Sequence, residues 1–333
     1  MEGIKRLDFS TYLLIIFSLV IFLIGSFLIG ILIGPTSISF KEFSAAIFTN
    51  DNQTISQIIF EIRLPRVLFA ISDGGGLSIA GAVFQSVLLN PLAEPYILGI
   101  SSGATFGAVL SFIIGLTFIG TQVFSFGGAL LVISLVYLLG KRYGELEPNQ
   151  LLLSGVMIGA FFSAGILLLM ILLNDSLRMA VYWLVGNLSL AKKENLIFIL
   201  PITFVVSLIL ILNSYKYNLL SLGDESAQQL GLNVKRIKKI SYIGVSLMVG
   251  TLVSVSGIIG FVGLLIPHVC RMIFGTDNRI VFPASFFIGA GYLTIADTIA
   301  RTVAAPIEIP VGAITAIIGA PVFIYLLRKR VLN

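Results

Sequence analysis

Cysteine, histidine, tryptophan and charge are all scarce in this chain: one Cys, one His, one Trp, and 11% charged residues in 333. The lone Cys270 rules out an internal disulfide framework and a cysteine metal cluster, and reads as a small buried apolar residue. The lone His268 cannot make a multi-histidine metal site, and no second ligand cluster accompanies it, so the chain has no metal site of its own. No G-x-x-x-x-G-K-[ST] run is present, so ATP is not bound by a phosphate loop here. H-E-x-x-H, G-x-S-x-G and paired intramembrane aspartates are also missing, which leaves no catalytic constellation. A soluble domain carries about 25% charged residues. With 57% apolar residues and a mean hydropathy of +1.05, this chain has lipid as its main solvent.

What remains is a series of apolar runs, each long enough for a span of roughly 20 residues or for a shorter one covered by protein. Ten are expected, near 12–33, 67–89, 97–120, 122–140, 151–173, 196–213, 240–256, 258–274, 281–300 and 309–327. The run 240–275 is too long for one helix, and Ser256-Gly257 is its natural break. A nine-span reading competes and would put the termini on opposite sides. Charge placement favours ten: with both termini cytoplasmic, 14 Lys and Arg fall inside and 7 outside. The net charge of +5 is mostly this orientation signal and calls for no nucleic-acid partner. Tyr12–Ile33 is too long for a signal-peptide core and is followed by no A-x-A site, so it is a retained first span. The fold class is an all-α polytopic membrane protein with one domain over 1–333.

The hydrophilic segments carry the remaining information. The outer segment 35–62 holds a short amphipathic helix around Phe40–Phe48. The outer loop 174–195 holds Trp183, placed to anchor at the lipid interface. The longest cytoplasmic segment, 214–239, is too polar to span. Asp224 and Glu225 suit the first turn of a helix running to Leu230, and Gly231 suits its stop. Such a helix rests on lipid headgroups or inserts into a cytoplasmic partner, and acids at its start fit a protein groove better. The stretch from Arg63-Leu-Pro-Arg66 to Ala104 is decorated beyond the needs of an anchor, with two arginines outside and Asn90-Pro91-Leu92-Ala93-Glu94-Pro95 at the other end. Two prolines and a polar pair at membrane depth require cover by protein or water.

That stretch resembles the permease subunits of ABC importers for iron-siderophore complexes, haem and cobalamin. The resemblance continues through Leu151-Leu-Leu-Ser-Gly155, Tyr182-Trp-Leu-Val-Gly186, Leu222-Gly-Asp-Glu-Ser-Ala227 with Leu230-Gly231, Gly260 to Arg271, Ala296-Asp-Thr-Ile-Ala-Arg301, and Glu308 to Arg328. These motifs stand in family order from about residue 60 to the end of the chain.

The resemblance implies roles. Leu222, Gly223, Asp224, Glu225, Ala227, Leu230 and Gly231 would form the element that docks on a separate ATPase, where ATP and Mg are bound. Arg63, Arg66 and Arg301 would meet glutamates of an extracytoplasmic substrate-binding protein; without that role they read as snorkelling groups or a local Asp297–Arg301 pair. The cytoplasmic gate would lie at Asn90 and Pro91, with Gln85 along the path, and at Pro148 and Asn149, where family members carry small hydroxyl residues. Asp73 is a second departure, an acid where the family is apolar, and is a further path candidate, near the outer interface or in the water-filled path. The expected assembly is two copies of this chain with two ATPase subunits in a bacterial or archaeal plasma membrane, importing an iron chelate by alternating access. An inverted repeat of spans two to five and seven to ten is implied as well. The alternative is an ion-driven secondary transporter, for which Asp73 is the sole midplane acid.

Overall fold

A computed structural model describes residues 9–48, 53–142, 145–172, 177–190 and 192–331. Lys5 and Arg6, part of the orientation signal, lie outside the described residues. The helices are α1 Phe9–Leu32, α2 Phe40–Phe48, α3 Gln53–Gln57, α4 Leu64–Val87, α5 Ile100–Ile114, α6 Phe118–Leu139, α7 Pro148–Ile171, α8 Leu177–Val185, α9 Leu196–Leu212, α10 Ser214–Leu220, α11 Asp224–Gln229, α12 Val234–Ser256, α13 Val262–Phe274, α14 Asn278–Thr302 and α15 Val311–Val331. A two-residue hairpin, β1 Lys141–Arg142 with β2 Glu145–Leu146, joins α6 to α7. Among the described residues seven helical stretches are long and apolar enough to cross a membrane, and three shorter apolar ones accompany them at Ile100–Ile114, Val262–Phe274 and Val311–Leu326.

Helix α2 has the bounds its sequence suggests, and it begins with a capping box. The Ser39 N–H donates to Glu42 Oε2 at 2.8 Å and the Glu42 N–H donates to Ser39 Oγ at 3.3 Å. The Ser39 hydroxyl, which donates to Glu42 Oε2 at 2.7 Å, together with the Ser39 N–H holds the Glu42 carboxyl below its ordinary range. The rest of the outer segment differs from expectation. Helix α3 and a π-helical turn, Ile58–Arg63, run straight into α4, so the second span is a continuous helix from Gln53 to Val87. Pro65 follows the π-helical turn directly, so the backbone donor it lacks falls where the continuous helix changes its hydrogen-bond pattern.

Helix α4 is the axis of the bundle. It is buried along most of its length, against α14, α13, α12 and α9. Helices α1, α6, α7 and α9 are instead mostly exposed, with apolar side chains such as Phe17, Leu138, Phe161 and Phe198 facing outward. Small residues explain the difference. Between membrane helices there is little hydrophobic drive, so close backbone approach supplies the attraction. A Cβ on Gly74 would overlap the Gly289 carbonyl of α14, and one on Gly81 would overlap the Gly263 carbonyl of α13. Gly81→Leu is therefore expected to abolish accumulation of folded protein. Gly127→Leu, on a position of α6 with nothing within 4 Å, should leave it unchanged. Size-exclusion chromatography of the two variants in mild detergent measures this.

Two breaks interrupt the bundle. Helix α12 ends at Ser256, at the expected break, and Gly257 takes φ 72°. Helix α4 ends at Val87, Leu89 takes φ 51°, and the chain returns inward through Asn90–Pro95 to a 3-10 turn, Pro95–Leu98. Pro91 and Leu92 are exposed, whereas Ala93 and Pro95 are buried. The proline segment is thus a re-entrant strand of backbone, open only at its start, rather than a turn lying wholly at the inner surface. The two breaks meet: the Phe261 N–H donates to Glu94 Oε1 at 3.0 Å, and the Ile259 N–H donates to the Tyr96 hydroxyl at 3.3 Å. Glu94 places its negative charge at the N-terminus of α13, where the helix dipole favours it. Protein covers the proline segment from Ala93 onward and the start of the break at Gly257, as irregular backbone at membrane depth requires.

Trp183 is also placed differently from expectation. It is 1% exposed, stacked edge-on against Phe112 with ring centroids 6.3 Å apart. Its loop is drawn inward because the Ile258 N–H bonds to Trp183 O, and Gly257 packs on the same residue's backbone. Trp183 is a core residue, not an interfacial anchor.

Candidate functional site

At the N-terminal end of α4 the three arginines converge, but inside the protein. Arg63, Arg66 and Arg301 are 3%, 8% and 3% exposed, which corrects their placement on an open surface. Arg63 Nη1 donates to Ile31 O at 2.7 Å and Leu32 O at 3.0 Å, and Nη2 reaches Thr36. It closes the carbonyls that α1 leaves free at its C-terminus. Arg66 grips Asp297 with two nitrogens, Nε to Oδ2 at 2.9 Å and Nη2 to Oδ1 at 3.0 Å, and reaches Glu308 Oε2 at 2.9 Å with Nη1. Arg301 stands 3.8 Å from Asp297 at i,i+4 spacing and donates to Gly30 O and to Thr298 Oγ1 at 3.1 Å. Of the two ordinary readings the helical Asp297–Arg301 pair is present, whereas snorkelling to headgroups is not: all three cations are buried against protein groups, and among the described residues Arg301 Nε makes no hydrogen bond. Among the described residues of the cluster Glu308, with 40% of its side chain exposed, is the one that opens it to the surface.

Asp297 is the residue that sequence reasoning undervalued. From the sequence it reads as a neighbour of Arg301, yet it also holds Arg66, 231 positions away in the chain. A signal was present: an acid on an otherwise apolar helix needs a partner, and only arginines stand at the matching depth.

At the opposite end of the bundle, α10 and α11 form a compact two-helix unit. Gly223 and Gly231 bracket α11 with φ of 96° and 83°, which a side chain would resist. Ala227 is fully buried and anchors the unit. Asp224 pairs with Lys238 of α12, a lysine that is 4% exposed. Leu222 and Leu230 are 61% and 59% exposed. The amphipathic reading is thereby refined, because these leucines point away from the body and Ala227 alone points into it. Glu225 is exposed beside them. Two outward leucines on a rigid, polar-framed knob are suited to a groove in another protein.

This unit is tied to the bundle by amides. Asn218 of α10 donates to Asp277 Oδ1 at 2.7 Å and accepts from the Asn278 N–H at 2.8 Å, clamping the start of α14. Burial alone would raise the Asp277 carboxyl, but hydrogen bonds from Arg279 and Asn218 hold it below its ordinary range. Ser86 of α4 donates to Asn278 Oδ1 at 3.3 Å. Gln85 accepts from Arg271 of α13 and donates to Ala93 O at 3.3 Å and Leu264 O at 3.4 Å. The Leu92 N–H donates to Asn90 Oδ1 at 2.9 Å and fixes the tip beside Pro91. Of the gate candidates, Gln85, Asn90 and Pro91 thus share one polar region. Pro148 and Asn149 stand apart in the first turn of α7, and among the described residues no hydrogen bond joins them to the others. His268 packs edge-on against Phe323, with ring centroids 5.8 Å apart. Among the described residues no group of three metal-ligating side chains occurs.

Comparison with known proteins follows this geometry. The FecCD transport family matches residues 20–329. An uncharacterized ABC transporter permease protein, YvrB of Bacillus subtilis, is 41% identical over 84% of this chain and 81% of its own length. The cobalamin import system permease protein BtuC of Halobacterium salinarum is 39% identical over 84% of this chain and 75% of its own. A solved structure, described as an inward-facing conformation of a transporter of the metal-chelate ABC type, superposes with a TM-score of 0.84 at 32% identity. It covers 96% of this chain and 99% of that one.

Proposed function

Because this chain belongs to the FecCD transport family of ABC-transporter permeases, we propose that it forms the membrane path for a metal chelate entering the cytoplasm. A ferric siderophore is the leading cargo; haem or cobalamin is the other, and the similarity to a cobalamin import permease supports that class. The chain is a multi-pass, non-catalytic transport subunit. ATP and Mg belong to a partner ATPase.

The observation that carries this reading is the α10–α11 knob. It offers two exposed leucines and Glu225 while Ala227 and the Asp224–Lys238 pair fasten it to α12. A subunit without a phosphate loop needs such a handle if ATP is to drive it. Force on the knob reaches α14 through Asn218 and α4 through Asn278 and Ser86. Helix α4 ends beside Gln85, Asn90 and Pro91, the gate we propose. Pro148 and Asn149, at the inner start of α7, complete it from a second helix.

The assembly is two copies of the chain, two ATPase subunits and an extracytoplasmic binding protein. Docking falls at the outer end of α4 and α14. Because Arg63, Arg66 and Arg301 are engaged internally, a glutamate of the binding protein reaches Arg66 by taking the place of Glu308. Such an exchange adds little affinity but orients the partner. Ten spans with both termini cytoplasmic fit the seven long and three short apolar helices. A repeat of α4–α7 in α12–α15 is supported by the shared order of buried helix, break and short helix.

Proteoliposomes containing the permease, its ATPase and its binding protein test the reading. Uptake of a ferric siderophore is expected to require ATP and to survive ionophores. Uptake without ATP that collapses with ionophores would replace this function by ion-driven secondary transport.

A further inference from the structure

Asp73 takes no part in either site, and it is the residue whose surroundings are least complete. It is 0% exposed, and neither carboxylate oxygen has a hydrogen-bond partner. It stands on α4 beside Ser256, the last residue of α12, where the two helix breaks meet. The Ser256 hydroxyl is near enough to donate to the carboxylate, but its proton goes to Leu252 O at 2.9 Å.

The helix end that Asp73 faces makes matters worse for an anion. The last carbonyls of a helix carry partial negative charge unless N–H groups close on them. Here the Gly257 N–H closes Val253 O and the Asn187 N–H closes Ser256 O, but the Ile258 N–H turns to Trp183 O and the Ile259 N–H to the Tyr96 hydroxyl, so neither of these closes onto Ser254 O or Val255 O. A carboxylate and a carbonyl-bearing helix end therefore lie together in a dry place.

Among the described residues no protein cation compensates. On α4 itself, Arg66 lies about two turns outward and is taken by Asp297 and Glu308. On α13, Arg271 binds Gln85 and Ala82 O toward the inner end, and His268 packs on Phe323. On α12, Lys238 is at the far end with Asp224. From α14 come Asp297, Tyr292 and Arg301, the last bound to Gly30 O and Thr298. The re-entrant segment adds Glu94 and Tyr96, a second acid and a neutral phenol. Helices α1 and α9 carry no charged side chain.

We propose that Asp73 is a binding site for one monovalent cation, a proton or an alkali-metal ion, buried where α4 crosses the break between α12 and α13. The bound charge neutralises the carboxylate and holds the junction closed. Wetting of the junction, when α12 and α13 separate, removes the need for it and lets it leave. The site is independent of the cargo and of the docking surface.

The full-length permease in lipid nanodiscs at neutral pH, labelled with [13C]aspartate, tests this by infrared difference spectroscopy against Asp73→Asn. A protonated-carboxyl band that is lost in the variant and indifferent to Na+ or K+ identifies a proton. A carboxylate band that shifts when Na+ or K+ replaces N-methylglucamine, and is lost in the variant, identifies an alkali ion. A carboxylate band from Asp73 that responds to neither overturns the proposal. Should Asp73→Asn fail to fold, Asp73→Ser supplies the reference, and the exchange between Na+ and N-methylglucamine on the wild-type chain still reads the alkali arm.

Discussion

Asp297→Ala is expected to destabilise the permease by about 3–5 kcal/mol, the cost of breaking a buried ion pair by removing one partner. Asp297 is 1% exposed and is the only acid buried with Arg66 and Arg301 among the described residues of this cluster. Without it two guanidinium groups lie within the protein against one half-exposed glutamate. Arg66 then has Glu308 alone, and Arg301 keeps only neutral acceptors. Glu308→Gln, by contrast, is expected to cost less than about 1 kcal/mol, as exposed pairs do. Its effect should appear in affinity for the binding protein, since it removes the acid that guards Arg66. Thermal unfolding of both variants in nanodiscs measures the first contrast and a pull-down with the binding protein the second. Equal stability of Asp297→Ala and wild type would show the cluster to be dispensable for the fold. Charge reversal of Arg63, Arg66 or Arg301 is, for the same reason, a folding experiment before it is a docking experiment.

Asp224→Lys is expected to uncouple ATP hydrolysis from transport, with uptake per ATP falling by roughly tenfold or more. A coupling free energy of 1–3 kcal/mol corresponds to about 5- to 150-fold. The substitution sets a lysine against Lys238, whose side chain is 5% exposed and has no room to turn to water. The α11 knob then loses its strut to α12 while Ala227 still seats it. ATPase activity of the complex should persist, so hydrolysis and uptake part company. The exchanged pair, Asp224→Lys with Lys238→Asp, should recover much of the coupling. Glu225→Lys tests a different step: Glu225 is exposed and should affect assembly with the ATPase rather than the seating of the knob. Normal uptake per ATP in Asp224→Lys would remove α11 from the coupling path.

These two contrasts separate residues that looked alike in the sequence. Asp224 and Glu225 are adjacent acids at a helix start, equally suited to its dipole. One faces a buried lysine 14 positions on and the other faces water. Arg63, Arg66 and Arg301 likewise read as one outer set. Yet Arg63 closes the end of α1, Arg66 clasps α14, and Arg301 reaches back to Gly30.

The sequence by itself determined a membrane solvent, the apolar helices, the break after Ser256, the bounds of α2, and a helical knob between Leu222 and Gly231. Each follows from local composition, periodicity or turn chemistry within a few residues. Family motifs in order added the kind of transporter. Only the tertiary structure decided which helix is central, that Trp183 is core, and that Asn90–Pro95 re-enters the bundle. It also decided that the outer arginines are buried and that Asp73 stands alone. The physical reason is that a buried polar group is defined by its partner, and here the partners are far away in the chain. Asp297 meets Arg66 across 231 residues, and Phe261 meets Glu94 across 167. A sequence displays each demand for a partner, but it takes packing to show which demands are met.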